Sequence, residues 1–169
     1  MMDRGTSRLV LWGRFSGYGL GVALVAFILD RLFKLWMLGP FDLPSRGRYI
    51  VTPFFDLVMV WNKGVSYGLF QAHSGLGRLV LIVFAVVVTA GLVLWLAQVA
   101  RKLVAVAIGL VIGGAIGNVY DRVHYGAVAD FFSFHALGFY WYIFNVADIW
   151  IVLGVVFFLY DSLFPAKPE

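Results

Sequence analysis

Cysteine is absent from the 169 residues, which excludes a disulfide framework, a thiolate nucleophile and a cysteine-rich metal site. Charge is scarce too. Asp, Glu, Lys and Arg make up only 13% of the chain, against 62% hydrophobic residues and a mean hydropathy of +0.91. A soluble domain carries roughly 45–50% apolar residues, so this composition argues for residence in a bilayer. The net charge of +4 does not imply nucleic-acid binding, because the basic residues are scattered rather than gathered into a stripe. No H-E-x-x-H is present and His73, His124 and His135 stand far apart, so a zinc peptidase lacks its ligands. No metal or cofactor is expected, and a lone loop histidine is most simply solvated. Ser74 follows His73, but adjacent residues make a poor nucleophile and base, and no G-x-S-x-G surrounds them.

What is present is four apolar stretches long enough to cross a membrane, Gly17 to Leu38, Leu76 to Ala97, Leu103 to Tyr120 and Phe139 to Leu163. Each is expected to be a helix, since a spanning segment must satisfy its own backbone polar groups and four strands are too few to close a barrel. Arg4, Arg8 and Arg14 precede the first stretch, Arg101 and Lys102 fill the turn between the second and third, and Lys167 follows the fourth. The positive-inside rule then makes that side, with both termini, cytoplasmic. Arg46, Arg48 and Lys63 lie on the other side, partly offset by Asp42 and Asp56. The first stretch is longer than the apolar core of a secretory signal and lacks an A-x-A-like site, so it is read as retained. Gly39 to Gly75 is expected to fold outside the membrane, with short strands in the aromatic and β-branched run from Tyr49 to Phe70. Residues 1–169 read as a single all-α membrane domain with a small extracytoplasmic sheet between the first two helices.

Ionisable residues within a bilayer cost at least about 2.5–3.5 kcal/mol each on insertion scales, so each requires a reason. Asp30, Asp121, Arg122, Asp130 and Asp148 all fall near the outer ends of the stretches, which points to one polar site there. Asp30 and Lys34 are an i, i+4 pair of opposite charge, most simply a bundle-stabilising one. Asn118 is spaced to reach Asp121 and Arg122 in a hydrogen-bonded corner, while Gly113, Gly114 and Gly117 permit close helix approach. Asp130 and Asp148 are left without a local cation, and Asn145 lies on the same helical face as Asp148. Two carboxylates close together in a poorly solvated pocket cannot both ionise, so one stays protonated and the other acts as a base. That pair can activate a water against a peptide carbonyl and protonate the leaving amine. On the residues alone, an equal alternative is that Asp130 caps a loop and Asp148 is a satisfied helix residue. Tyr140, Trp141 and Tyr142 read as interfacial anchors.

Five motifs then resemble a known family, the lipoprotein signal peptidases or signal peptidase II. Leu29-Asp30 followed by Lys34 is similar to its D-x-x-x-K signature, and Trp61-Asn62-Lys63-Gly64 to its N-x-G motif. Gly113-Gly114-Ala115-Ile116-Gly117-Asn118-Val119-Tyr120-Asp121-Arg122 resembles G-G-A-x-G-N-x-x-D-R. Val128-Ala129-Asp130-Phe131 resembles V-x-D-F, and Phe144-Asn145-Val146-Ala147-Asp148 resembles F-N-x-A-D. The chain departs from the family at Val65-Ser66-Tyr67-Gly68, where smaller residues and a Phe are usual. The resemblance implies a catalytic dyad of Asp130 and Asp148, supported by Asn62, Gly64, Asn118, Arg122 and Asn145, with Asp30, Lys34 and Asp121 structural. It implies an aspartyl endopeptidase of the bacterial inner membrane that cuts a prolipoprotein before its diacylglyceryl-modified Cys. The expected partners are that substrate and membrane lipid, with the enzyme a monomer. Two other readings remain in view: a proton-coupled transporter relaying through Asp30, Asp121 and Asp148, and a non-catalytic scaffold.

Overall fold

The computed structural model describes residues 11–64 and 75–164. Arg4, Arg8, Lys167, the His73-Ser74 pair and Val65–Gly68 lie outside the described residues. Among the described residues, five helices and four strands follow in the order α1 Ser16–Leu38, α2 Leu43–Arg46, β1 Tyr49–Thr52, β2 Phe55–Asn62, α3 Gly75–Leu96, α4 Lys102–His124, β3 Val128–Ala136, β4 Phe139–Tyr140 and α5 Val146–Leu163.

Among the described residues, α3, α4 and α5 are long and apolar enough to cross a membrane. The 23-residue α1 matches them in length but carries Asp30, Arg31 and Lys34. Its buried residues, Ser16, Gly19, Ala23, Ala26, Asp30, Lys34 and Met37, recur at helical spacing. One stripe of α1 therefore changes from small to ionic along its length. α3 buries only Leu96 and exposes Val80, Val83, Phe84 and Val87, a surface that lipid solvates and water does not.

The central helix is α4, against which α1, α3 and α5 all pack. Its glycines make this possible. A Cβ on Gly114 would stand 2.3 Å from the Ala147 carbonyl oxygen of α5, and one on Gly117 would stand 2.6 Å from Asp30 Oδ2 of α1. The close approach expected of this glycine run is thus realised on two helices at once.

The strands form one antiparallel sheet in the order β1-β2-β3-β4. It is not confined to the segment between the first two helices, because β3 and β4 come from the chain after α4. β2 gains a long partner in β3, whose Phe131 and Phe132 N–H groups in turn bond the Phe144 carbonyl. The stretch expected to be helical from Phe139 begins its helix only at Val146. Leu137 and Gly138, at φ 52 and 82, turn the chain back so that Phe139 and Tyr140 pair with Ala136 and His135. Two positive-φ residues suit such a hairpin, and continuous hydrophobicity alone does not reveal it. Met37, Leu43, Ala129 and Phe131 form the small core that fastens the sheet to α1.

Candidate active site

Asp130 sits on β3 opposite Val60 of β2. Asn62, two residues further along β2, shares that face of the sheet, and its Nδ2 donates to Asp130 Oδ2 at 3.0 Å. The Asn62 amide is itself oriented, since its Oδ1 accepts from Gly64 N at 2.9 Å. Arg122 Nη2 donates to the Gly64 carbonyl at 3.1 Å, and its Nη1 to the Asn118 carbonyl at 3.3 Å. Asn62, Gly64 and Arg122 therefore form a brace on one side of Asp130.

Asp148 enters from the first turn of α5. Asn145 is the N-cap of that helix, its Oδ1 accepting Asp148 N at 3.1 Å while Asp148 Oδ2 accepts Asn145 N at 3.2 Å. This reciprocal arrangement satisfies N–H groups that have no intrahelical partner. The Asn145 amide nitrogen is then free to point outward from the helix. It donates to Asp130 Oδ1 at 2.5 Å and to Asn118 Oδ1 at 3.2 Å, while Asn118 Nδ2 donates to Asp148 Oδ1 at 2.8 Å. One fully buried asparagine thus bridges the two aspartates.

No ion pair among the described residues engages Asp130 or Asp148. The Asp130 carboxyl is raised from 3.8 to about 7, by burial first and by the neighbouring Asp148, against the Asn62 and Asn145 hydrogen bonds and the Lys34 charge, which lower it. A carboxyl in that state exchanges a proton at neutral pH. Beside Asp148 opens a cavity of about 480 Å³ between α3, α4 and α5, apolar along Phe84, Val88, Val111 and Ile151 and polar where Asn118, Arg122 and Asp148 meet it. A second cavity of about 360 Å³, lined by Trp141, Tyr142, Phe144 and Leu153, also reaches Asp148.

A family model described as signal peptidase (SPase) II matches residues 22–164. The chain belongs to the signal peptidase II family. It is accordingly a membrane peptidase, a hydrolase. A lipoprotein signal peptidase of Rhodopseudomonas palustris strain TIE-1 is 46% identical over 152 residues, covering 88% of this chain and 93% of the relative. One from Methylobacterium sp. strain 4-46 is 48% identical over 145 residues, covering 86% and 88%. A solved structure described as a bacterial membrane enzyme at 1.9 Å resolution superposes with a TM-score of 0.76 at 25% identity, covering 92% of this chain and 98% of that one. The chain therefore shares its fold with that membrane enzyme.

The geometry corrects one reading of those motifs. Asn118 does not form a corner with Asp121; its side chain crosses to Asp148 on α5, and Arg122 takes its carbonyl. Asp121 turns the other way, toward α1, because the buried cations there offer a stronger partner than a neutral amide. Its Oδ2 lies 2.7 Å from Lys34 Nζ, and its Oδ1 pairs with Arg31. The expected Asp30–Lys34 pair is present at 3.1 Å. Arg31 was missed, although a third charge in an apolar stretch was a signal that something must neutralise it. Also missed was the joining of Asp56 to Arg48 and to His135 Nε2, the latter at 2.8 Å, which places His135 in a sheet contact instead of leaving it to solvent.

Proposed function

We propose that this protein is an aspartyl endopeptidase that removes signal peptides from diacylglyceryl-modified prolipoproteins, cutting before the lipidated Cys at the outer face of the bacterial inner membrane. The single observation that carries the mechanism is the Asn145 bridge, which ties Asp130 and Asp148 into one hydrogen-bonded unit without a cation. In such a pair one carboxyl keeps its proton while the other is charged, and the proton belongs to the pair. The charged member takes a proton from a water as the water attacks the scissile carbonyl. The protonated member hydrogen-bonds the carbonyl oxygen and then supplies the leaving amine. Asn62, Gly64, Asn118, Arg122 and Asn145 hold the two carboxyls and the substrate backbone, and Asp30, Lys34 and Asp121 serve the scaffold.

The apolar cavity between α3, α4 and α5 suits a signal-peptide helix, with the polar end setting where the cut falls. In this reading α1 is a fourth span, its charged stripe turned into the bundle, and residues 1–169 act as one domain and one monomer. The sheet lies on the extracytoplasmic side and both termini face the cytoplasm, as the Arg101-Lys102 turn supports. The curated relatives are named lipoprotein signal peptidases, which favours this substrate class. The deciding experiment incubates the purified protein with a diacylglyceryl-modified prolipoprotein and, separately, with its unmodified precursor. Cleavage of the modified form alone is expected; equal cleavage of both removes the lipid from recognition, and proton flux in liposomes with no hydrolysis favours a transporter instead.

A further inference from the structure

The ion cluster behind the two aspartates has a geometry that a merely stabilising pair does not need. Lys34 Nζ stands 3.1 Å from Asp30 Oδ2 and 2.7 Å from Asp121 Oδ2, with all three side chains fully buried. Asp30 turns its other oxygen to the backbone N–H of Ala147, which donates to Oδ1 at 3.0 Å. Asp121 Oδ2 accepts the backbone N–H of Ala129 at 3.2 Å, and its Oδ1 pairs with Arg31. Ala147 is the residue before Asp148, and Ala129 is the residue before Asp130. One ammonium group therefore joins two carboxylates, each of which holds the main chain one residue upstream of a dyad member.

Neither hold is incidental. The Ala147 N–H belongs to the first turn of α5, where no intrahelical acceptor exists, and a carboxylate is the favoured partner for that end of a helix. The Ala129 N–H lies at the start of β3, where Asp121 takes the place of a strand partner. The cluster has no room to shift toward α4, since Gly117 leaves space for Asp30 only by lacking a side chain. Arg31 and Lys34 match Asp30 and Asp121 in number, so each acid of the frame has a basic partner.

We propose that Lys34 is a positioning residue for the hydrolysis: by clasping Asp30 and Asp121 it sets the distance between the start of β3 and the start of α5, and so the separation of the Asp130 and Asp148 carboxyls. The inference rests on the reading of those two aspartates as the catalytic pair. It adds that their spacing is held from α1, a helix that supplies neither of them. Removing the ammonium leaves the two carboxyls without the group that joins them, so the two chain segments they hold are no longer fixed to each other. A misplacement of about 1 Å lowers turnover roughly a hundredfold. Because the lost geometry matters in the transition state, kcat and kcat/KM fall together.

The test compares wild type, Lys34→Met, Lys34→Arg and Asp130→Asn in detergent, on a diacylglyceryl-modified prolipoprotein, with thermal unfolding followed for each. Lys34→Met is expected to fold, to lose about a hundredfold in kcat with KM little changed, and to shift the pH–rate profile; Lys34→Arg restores part of the rate. A folded Lys34→Met with wild-type kcat and pH profile overturns the proposal, as does a loss confined to KM. Where Lys34→Met does not fold, Asp30→Asn combined with Lys34→Met removes one charge of each sign and carries the same expectation. If neither folds, the cluster serves stability alone and the proposal is overturned. Cleavage by Asp130→Asn overturns the catalytic pair itself, whereas an inactive Asp130→Asn beside a fully active Lys34→Met overturns only the positioning role.

Discussion

Two pairs of aspartates meet at one end of the helix bundle in opposite surroundings. Asp30 and Asp121 share the Lys34 ammonium, and Asp121 takes Arg31 as well. Among the described residues, Asp130 and Asp148 are bonded by neutral donors, the amides of Asn62, Asn118 and Asn145 and the main-chain N–H of Asn145. A cation at contact distance settles a carboxylate in its charged form, while a neutral amide orients it and leaves burial and the neighbouring acid to decide its proton. The first pair is thereby suited to hold a frame and the second to exchange protons. Their separation is short in chain terms, because the frame pair binds the backbone one residue before each member of the other.

The largest effect that tests this contrast comes from Asp130→Asn or Asp148→Asn. Each change keeps the shape and removes the acid, so prolipoprotein cleavage by the purified variant should fall by about 10²–10⁴-fold, the usual contribution of a general acid or base. Membrane insertion should be unchanged. Normal processing by either variant breaks the comparison outright.

A smaller effect is expected for Asn145→Ala. It removes the N-cap of α5, at a cost of about 0.5–2 kcal/mol, and leaves Asp130 Oδ1 without its closest donor. Unfolding in detergent should register that loss, and cleavage should fall by more than the loss of folded protein explains. Activity that falls only in step with stability makes Asn145 a cap and nothing more.

The smallest effect lies in the pH dependence. Asp130 titrates near 7 in the folded protein against an ordinary 3.8, so between these values the native state holds a proton that the unfolded chain has released. Stability from this group is therefore complete below its unfolded value and is lost as pH rises through about 7. Wild type should lose thermal stability over that window relative to Asp130→Asn, which cannot titrate. Parallel unfolding curves for the two proteins would mean that Asp130 does not titrate in this window.

Most of the helical architecture was readable in the chain, because a segment that crosses lipid must be apolar for its full length and must satisfy its own backbone. The hairpin of β3 and β4 was not, since Phe139–Tyr140 is as apolar as the helix that follows and only pairing with His135 and Ala136 distinguishes it. The site divides in the same way. Asp30 with Lys34 and Asn145 with Asp148 were visible because a helical turn brings such spacings together. Asn118 turned out to face Asp148, and Asp121 to face Arg31 across 90 residues.

By itself, then, the sequence singled out the acids proposed for the chemistry and the long apolar helices, through residue type, hydropathy and spacings of three or four. Only the tertiary structure decided which acids sit against basic side chains and which are held by neutral amides. That choice depends on which helix packs beside which, and here it was made by the glycines of α4, which bring α1 against one face and α5 against the other.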